Sequence, residues 1–309
     1  MTTFDVVIIG GGSAGLSAGF YAGRLNLSVL IIEKERFGGK ITEAATVENY
    51  PGFPEGISGP KLASQLFAQA SRWGVQTRKG EVVHLDLTGE KKLINTSSEE
   101  AFSALAVIIA GGAEYRRLDV PGEADLIGEG VSFCAFCDGP SMGGKTVAVV
   151  GSGDGGLSQS LHLLQFADKI IVIEKFPQLT ASPVLVNRAL SDPRISFNLS
   201  TVVEAVEKVD GGLLLHLRSL ADGEGSTVPV GGVFIAIGLV PNTGYLKDAV
   251  RLDEKEGWII VDSEMRTNLP GVFAAGDIRV KSPRQAVSAV ADGVSAAISA
   301  FRFIKEEGG

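Results

Sequence analysis

Residues 5–33 read DVVIIGGGSAGLSAGFYAGRLNLSVLIIE. An apolar strand from Asp5 to Ile9 runs into the turn Gly10-Gly11-Gly12-Ser13-Ala14-Gly15. A helix follows to about Leu25, then a second strand from Ser28 to Ile32, and Glu33 ends it. Glycines at this spacing let the backbone approach a pyrophosphate at a helix N-terminus, while the acid takes a ribose hydroxyl. A glycine pattern alone is weak. Here it has a strand before it, a helix after it and the acid in place, so the reading is a dinucleotide-binding module.

Residues 146–174 repeat the arrangement as TVAVVGSGDGGLSQSLHLLQFADKIIVIE. The strand Thr146 to Val150 enters Gly151-Ser152-Gly153-Asp154-Gly155-Gly156, a helix runs to about Phe166, and the strand Lys169 to Ile173 ends at Glu174. Both glycine-to-acid spacings are 23 positions, Gly10 to Glu33 and Gly151 to Glu174. One chain thus carries two modules of matched geometry, and an α/β fold of two Rossmann-like domains is expected. The first domain should be discontinuous, residues 1–114 and 244–309, with 115–243 inserted as the second. At 309 residues the chain has the length for two cores.

Within the first domain, Phe37-Gly38-Gly39-Lys40 precedes an aromatic, turn-rich loop, Val47 to Pro54, suited to packing on a planar ring or to an ordinary surface. Pro60 to Trp73 is predicted as an amphipathic helix with Leu62, Leu66, Phe67, Ala70 and Trp73 inward, ended by Gly74. Strands are predicted at Glu81–Leu87, Lys92–Thr96 and Ala104–Ala110, the last closing at Gly111-Gly112. In the second domain, Val202–Val209 and Leu213–Leu217 predict a hairpin about Asp210-Gly211-Gly212, and Gly232–Ile237 a buried strand ending at Gly238. The strand Gly271–Asp277 should bring Asp277 to a sheet's C-terminal end. Ser282 and Pro283 predict the cap and first turn of a last helix to about Ile304, with Val287, Val290, Val294, Ile298 and Phe301 as its inner stripe.

The chain's two cysteines fall together in Cys134-Ala135-Phe136-Cys137-Asp138. Thiols three apart can close a disulfide across one turn or stand as a dithiol, and the adjacent carboxylate can pass protons. A structural clip gains little from so small a loop. Zinc would need four ligands, and His84, His162 and His216 are scattered without ligand spacing, so no metal site is expected. The net charge of −8 with no basic cluster argues against nucleic acid. No apolar run of spanning length and no basic leader are read, which points away from a membrane and towards a reducing cytoplasm, where such a pair is catalytic.

Together these residues resemble the low-molecular-weight thioredoxin reductases over nearly the whole chain. The resemblance rests on the first glycine loop with Glu33, on Gly38-Gly39, and on Val47 to Gly56. It continues through Cys134 to Gly139 and Pro270 to Asp277, with Arg284-Gln285-Ala286. It implies a homodimeric flavoprotein in which electrons pass from FAD to the Cys134–Cys137 disulfide and on to a partner disulfide, thioredoxin-like proteins being the obvious class. FAD would be held by Gly10, Gly12, Ser13, Ala14, Gly15, Glu33, Lys34, Gly38, Gly39, Lys40, Asn49, Val83, Ala110, Gly111, Gly276, Asp277, Arg284, Gln285 and Ala286. Cys137 would face the flavin, Cys134 would attack the partner, and Asp138 would carry protons.

The second module departs from the family. Its candidate residues are Gly151, Gly153, Asp154, Gly155, Gly156, Glu174, Lys175, Phe176, Ile237 and Gly238. Where the family places basic residues for the NADPH 2′-phosphate, this chain has Glu174-Lys175-Phe176 and Thr180. A carboxylate a few ångströms from that phosphate would repel it by roughly 1–4 kcal/mol. Ser158-Gln159 replaces an acidic pair. NADPH is therefore not the expected occupant. NADH is one alternative, by the acid rule. A second FAD, as in the diflavin-linked disulfide oxidoreductases, is the preferred one, since the loop repeats the FAD module's spacing. An empty site fed by an external carrier, as in ferredoxin-linked relatives, is the third. A flavin-bound redox switch without turnover, or a flavin reductase or oxidase with incidental cysteines, are the competing functions.

Overall fold

The computed structural model describes residues 2–44, 46–246 and 249–307. The chain divides into two compact units, Met1–Glu114 with Val240–Gly309, and Tyr115–Leu239. The return to the first unit falls at Val240 rather than at the expected 244. Asn242 accounts for the difference: its N donates to Gly112 O at 3.1 Å and its Nδ2 to Gly111 O at 2.9 Å.

In unit 1 the chain forms β1 (Thr2–Ile9), α1 (Ser13–Arg24), β2 (Val29–Glu33), α2 (Gly59–Ser71), β3 (Gln76–Lys79), β4 (Val82–Asp86), β5 (Lys92–Thr96) and β6 (Ala101–Ile109). Strand β6 forks. Its first half pairs antiparallel with β5, and Val107 to Ile109 pair in parallel with the late strand Val272–Ala274. A parallel sheet β3-β2-β1-β6 is thereby extended by that late strand, and a meander runs off the other half of β6. Val6, Val7, Ile8, Ile31, Ile32, Val107 and Ile108 are essentially inaccessible, as expected of a sheet covered on both faces.

Unit 2 opens with the edge strand β7 (Ala113–Tyr115), which spans the boundary, then α3 (Glu123–Leu126), β8 (Val131–Ser132) and α4 (Ala135–Asp138). The repeat follows as β9 (Thr146–Val150), α5 (Asp154–Leu163), β10 (Lys169–Ile173), α6 (Pro183–Ser191) and β11 (Ile195–Asn198). Next are β12 (Thr201–Val209), β13 (Gly212–Ser219), β14 (Gly225–Val230) and β15 (Gly232–Ile235), with β16 (Leu239–Pro241) returning across the boundary. The parallel sheet runs β11-β10-β9-β15-β8, and β12-β13-β14 form a separate antiparallel layer. β17 (Val272–Ala274) and α7 (Ala286–Glu307) complete unit 1.

Four expectations fail. Trp73 lies beyond the end of α2 and is 44% exposed, its ring taken by the Arg24 guanidinium at 5.5 Å. The last helix starts at Ala286, because Lys281 and Arg284 both take left-handed backbone (φ 54° and 58°) and Ser282 Oγ accepts from Arg284 N in a tight turn instead of capping a helix. Its inner face is the row of small residues, Ala289, Gly293, Ala296, Ala297 and Ala300, while Val287 is 38% exposed. A Cβ on Gly293 would stand 2.1 Å from Ala14 O, so the α1–α7 approach itself demands glycine there. By length and composition α7 is also apolar enough to cross a membrane, contrary to the reading that no such run exists. In this unit it is the packed core helix. Its buried Asp292 accepts from Arg279 Nε at 2.6 Å and Nη2 at 2.8 Å.

Candidate active site

The first glycine loop brings backbone against backbone. Gly10 has φ 105°, and a Cβ there would meet Ala110 O at 2.3 Å, so the loop and the end of β6 touch backbone to backbone. Gly15 packs its Cα against Gly10 O, where a Cβ would lie 1.8 Å away. Gly12 faces open space, with Ser13 and Ala14 opening α1 behind it. Glu33 braces the loop: Gly11 N donates to Oε2 at 2.6 Å and Glu35 N to Oε1 at 2.7 Å. The next turn closes over it, Gly38 N donating to Gly11 O at 2.8 Å.

Around that loop the unit gathers most of the predicted residues. Asn49 Nδ2 donates to Gln285 Oε1 at 2.9 Å, joining two stretches 236 positions apart. Asp277 lies in the turn after β17, partly buried. Burial pushes its carboxyl up, opposed by the Ser282 hydroxyl and by Arg284 and Lys40. Lys40 follows Gly39, and burial holds its ammonium down to about 8. The Arg284 guanidinium stacks 4.3 Å over the Trp258 ring. Lys34 points elsewhere: its ammonium pairs with Glu81 at 2.9 Å on the surface. Val83 stands at the irregularity in β4 and is 42% exposed.

Sequence reasoning missed two supports. Asp292 accepts from Gly276 N at 3.1 Å and so sets the turn that carries Asp277. The Tyr245 hydroxyl is buried beside Gly111 with no hydrogen-bond partner among the described residues, and burial raises its pKa. An open glycine cradle with an orphaned buried hydroxyl near the carboxyl end of β6 fits an FAD molecule, which the loop, Glu33 and the residues around them would hold.

The second module copies the first closely. Gly151 has φ 104°, a Cβ on it would meet Ala236 O at 2.4 Å, and a Cβ on Gly156 would lie 2.0 Å from Gly151 O. Ile237 contacts the same glycine, and Gly238 follows with φ 109°. Gly155 faces open space. Glu174 is only 5% exposed and its bonds are made within the chain. Ser152 N and Oγ donate to Oε2 at 2.8 and 2.6 Å, and Phe176 N donates to Oε1 at 3.1 Å. Phe176 is 47% exposed and carries the Lys175 ammonium 4.9 Å over its ring. Thr180 N reaches back to Ser152 Oγ at 3.2 Å, and Asp154 Oδ1 accepts from Ser182 N at 2.6 Å.

Cys134 and Cys137 are joined as a disulfide with Cα atoms 5.3 Å apart, at the start of α4. Cys137 N donates to Cys134 Sγ at 3.1 Å. Cys137 and Asp138 are exposed and Cys134 is half-buried. Ser132, which the sequence did not mark, organises the group: its hydroxyl donates to Asp138 Oδ2 at 2.5 Å and accepts from Cys134 N at 3.0 Å. No cluster of metal-ligating residues occurs among the described residues.

Two Rossmann-like modules and a redox disulfide in one chain define a flavin-dependent disulfide oxidoreductase. The profile of the pyridine nucleotide-disulphide oxidoreductase family matches residues 4–293. The chain is 40% identical to the thioredoxin reductase of Listeria monocytogenes, over 98% of this chain and 94% of that protein. It is 38% identical to the bifunctional thioredoxin reductase/thioredoxin of Mycobacterium leprae, over all of this chain and 67% of that one. The solved structure of Lactococcus lactis thioredoxin reductase superposes with a TM-score of 0.94 at 35% identity, covering 98% of this chain and 99% of that one. The chain belongs to the thioredoxin reductase family.

Proposed function

We propose that this protein passes electron pairs from FAD in the first module to the Cys134–Cys137 disulfide and then to thioredoxin or a similar disulfide protein, without NADPH as donor. The disulfide with Asp138 tethered beside it by Ser132 carries the reading. Bound FAD would supply the two-electron chemistry. The residues proposed to hold it are the glycine loop, Glu33, Gly38, Gly39, Lys40, Asn49, Ala110, Gly111 and Gly276 to Asp277, with Arg284 to Ala286. Lys34 is engaged by Glu81 and drops to a peripheral part. When the pair opens, two electrons and two protons convert the S–S bond to two thiols. Asp138 would deliver and recover a proton, and Cys134 as thiolate would attack the partner's disulfide.

Against NADPH stand the buried carboxylate of Glu174 where a 2′-phosphate would lie, and Phe176 and Thr180 in place of cations. A second FAD is the proposed occupant of that module, supported by the matched spacing and backbone geometry of the two loops and by the exposed Phe176 ring as a stacking face. Homodimeric assembly and a cytoplasmic setting complete the proposal, the first checked by sedimentation.

The deciding experiment is the flavin-to-chain ratio of purified protein, followed by anaerobic titration. Two flavins per chain, with no bleaching by NADPH, is the expected result. One flavin with bleaching by NADH would replace the second FAD by a nicotinamide donor. One flavin deaf to both nicotinamides would point to an external carrier. Stoichiometric bleaching by NADPH would overturn the donor proposal. A flavin reduced without opening of the disulfide would overturn the function.

A further inference from the structure

A side chain of a neighbouring helix holds the disulfide turn. Gln159, on the second turn of α5 and half-buried, accepts through Oε1 from Ala135 N at 3.1 Å. That N–H belongs to the peptide leaving Cys134. On the preceding side, Cys134 N donates to Ser132 Oγ at 3.0 Å, and across the turn Cys137 N donates to Cys134 Sγ at 3.1 Å. The backbone is therefore fixed on both sides of Cys134, and the outer clamp comes from the helix that follows the second glycine loop.

We propose that Gln159 is a positioning residue for disulfide exchange, clamping the Cys134 turn with a neutral acceptor and so leaving the Cys134 thiol acidic once the pair has opened. Opening the pair consumes two electrons from reduced flavin and two protons, and yields two thiols. The attacking species then forms when the Cys134 S–H gives its proton to water or to Asp138. A glutamate at 159 would make the same bond to Ala135 N, yet set a full negative charge against the forming thiolate and raise its pKa. The amide orients the turn without that charge. Other titratable groups on the packed elements are Asp138 on α4 and Asp154 and His162 on α5. The carboxylate of Asp138 is engaged by Ser132, and burial lowers the pKa of His162.

This inference rests on the pair opening in turnover, and its test separates the two. The full, FAD-loaded chain is used in a Cys137→Ser background, which leaves Cys134 as the single cysteine. The pH dependence of iodoacetamide alkylation then reads the Cys134 thiol. Gln159→Glu should move the midpoint up by about one unit, slowing alkylation about tenfold below it. Gln159→Met, which removes the acceptor without adding charge, should leave the midpoint near the parent's. It should accelerate amide exchange at Ala135 about tenfold or more, while Q159E keeps that amide protected. A Q159E profile superimposable on the parent would overturn the charge argument. Unchanged Ala135 exchange in Q159M would overturn the clamp, and this readout stands even if Q159E does not accumulate as folded protein. Treating the wild type with a phosphine and counting thiols comes first. A pair that will not open sinks the proposed function, whereas a pair that opens with no Q159E effect sinks this inference alone.

Discussion

Lys40 offers the most quantitative test of the FAD module. Its ammonium follows Gly38-Gly39, and Gly39 approaches Gly12 so closely that a Cβ on it would lie 3.2 Å from Gly12 Cα. Burial lowers its pKa from 10.5 to about 8, although Glu43, Glu114, Asp277 and Glu35 all pull it upward. A shift of that size corresponds to about 3 kcal/mol at full burial, and to about 2 kcal/mol after discounting for the solvent that still reaches the group. The sign follows from the proton count. Between about pH 8 and 10.5 the unfolded chain holds a proton that the folded, flavin-free chain has released, so stability rises with pH across that window. Below about pH 8 the burial penalty is fully present. An FAD diphosphate held over the loop would add negative charge beside this ammonium and should draw the proton back. Binding above about pH 8 then takes up a proton, and affinity should fall by up to about thirtyfold between about pH 7 and 9.5. In Lys40→Met the dependence should flatten. Fluorescence titration of flavin-stripped protein with FAD measures both. Parallel profiles for wild type and variant would refute the assignment of this titration to Lys40.

Either cysteine, replaced by serine, should cost at least about a thousandfold in thioredoxin reduction by enzyme whose flavin has been reduced chemically, read as turnover of a thiol reagent. Retention of activity by Cys134→Ser would instead favour a flavin reductase with incidental cysteines. Phe176→Arg combined with Thr180→Arg places two cations beside the second glycine loop and should produce bleaching by NADPH that the parent lacks, seen in anaerobic absorbance titrations. If the double variant stays unresponsive, these positions do not govern the donor. Gly293→Ala should destabilise unit 1 by about 1–3 kcal/mol, because the new methyl meets Ala14 backbone rather than a movable side chain, with a lowered melting temperature and weaker flavin retention.

What could be read in the sequence was whatever the backbone alone dictates. The glycine loops announce themselves because Gly10 and Gly151 take positive φ and touch the next strand, which no other residue tolerates cheaply. The acids at 33 and 174 follow from the same local geometry, each accepting from its own loop. Packing between distant elements left weaker marks. The apolar stripe of α7 pointed to valines, yet close approach to α1 selects alanines and glycine, and size rather than hydrophobicity decides which face is inward. The parts played by Ser132, Asp292 and Gln159 carry no motif, since each acts through hydrogen bonds made only after folding. The same division separates the modules. Their loops share one backbone course, so differences in what they bind must come from side chains on and around the loop. Glu174 is one of these: the Ser152 hydroxyl, absent at Gly11, adds a bond to Oε2 that Glu33 does not receive. A ligand's ribose must therefore compete for an already engaged carboxylate in the second module, and the first should hold its dinucleotide more tightly.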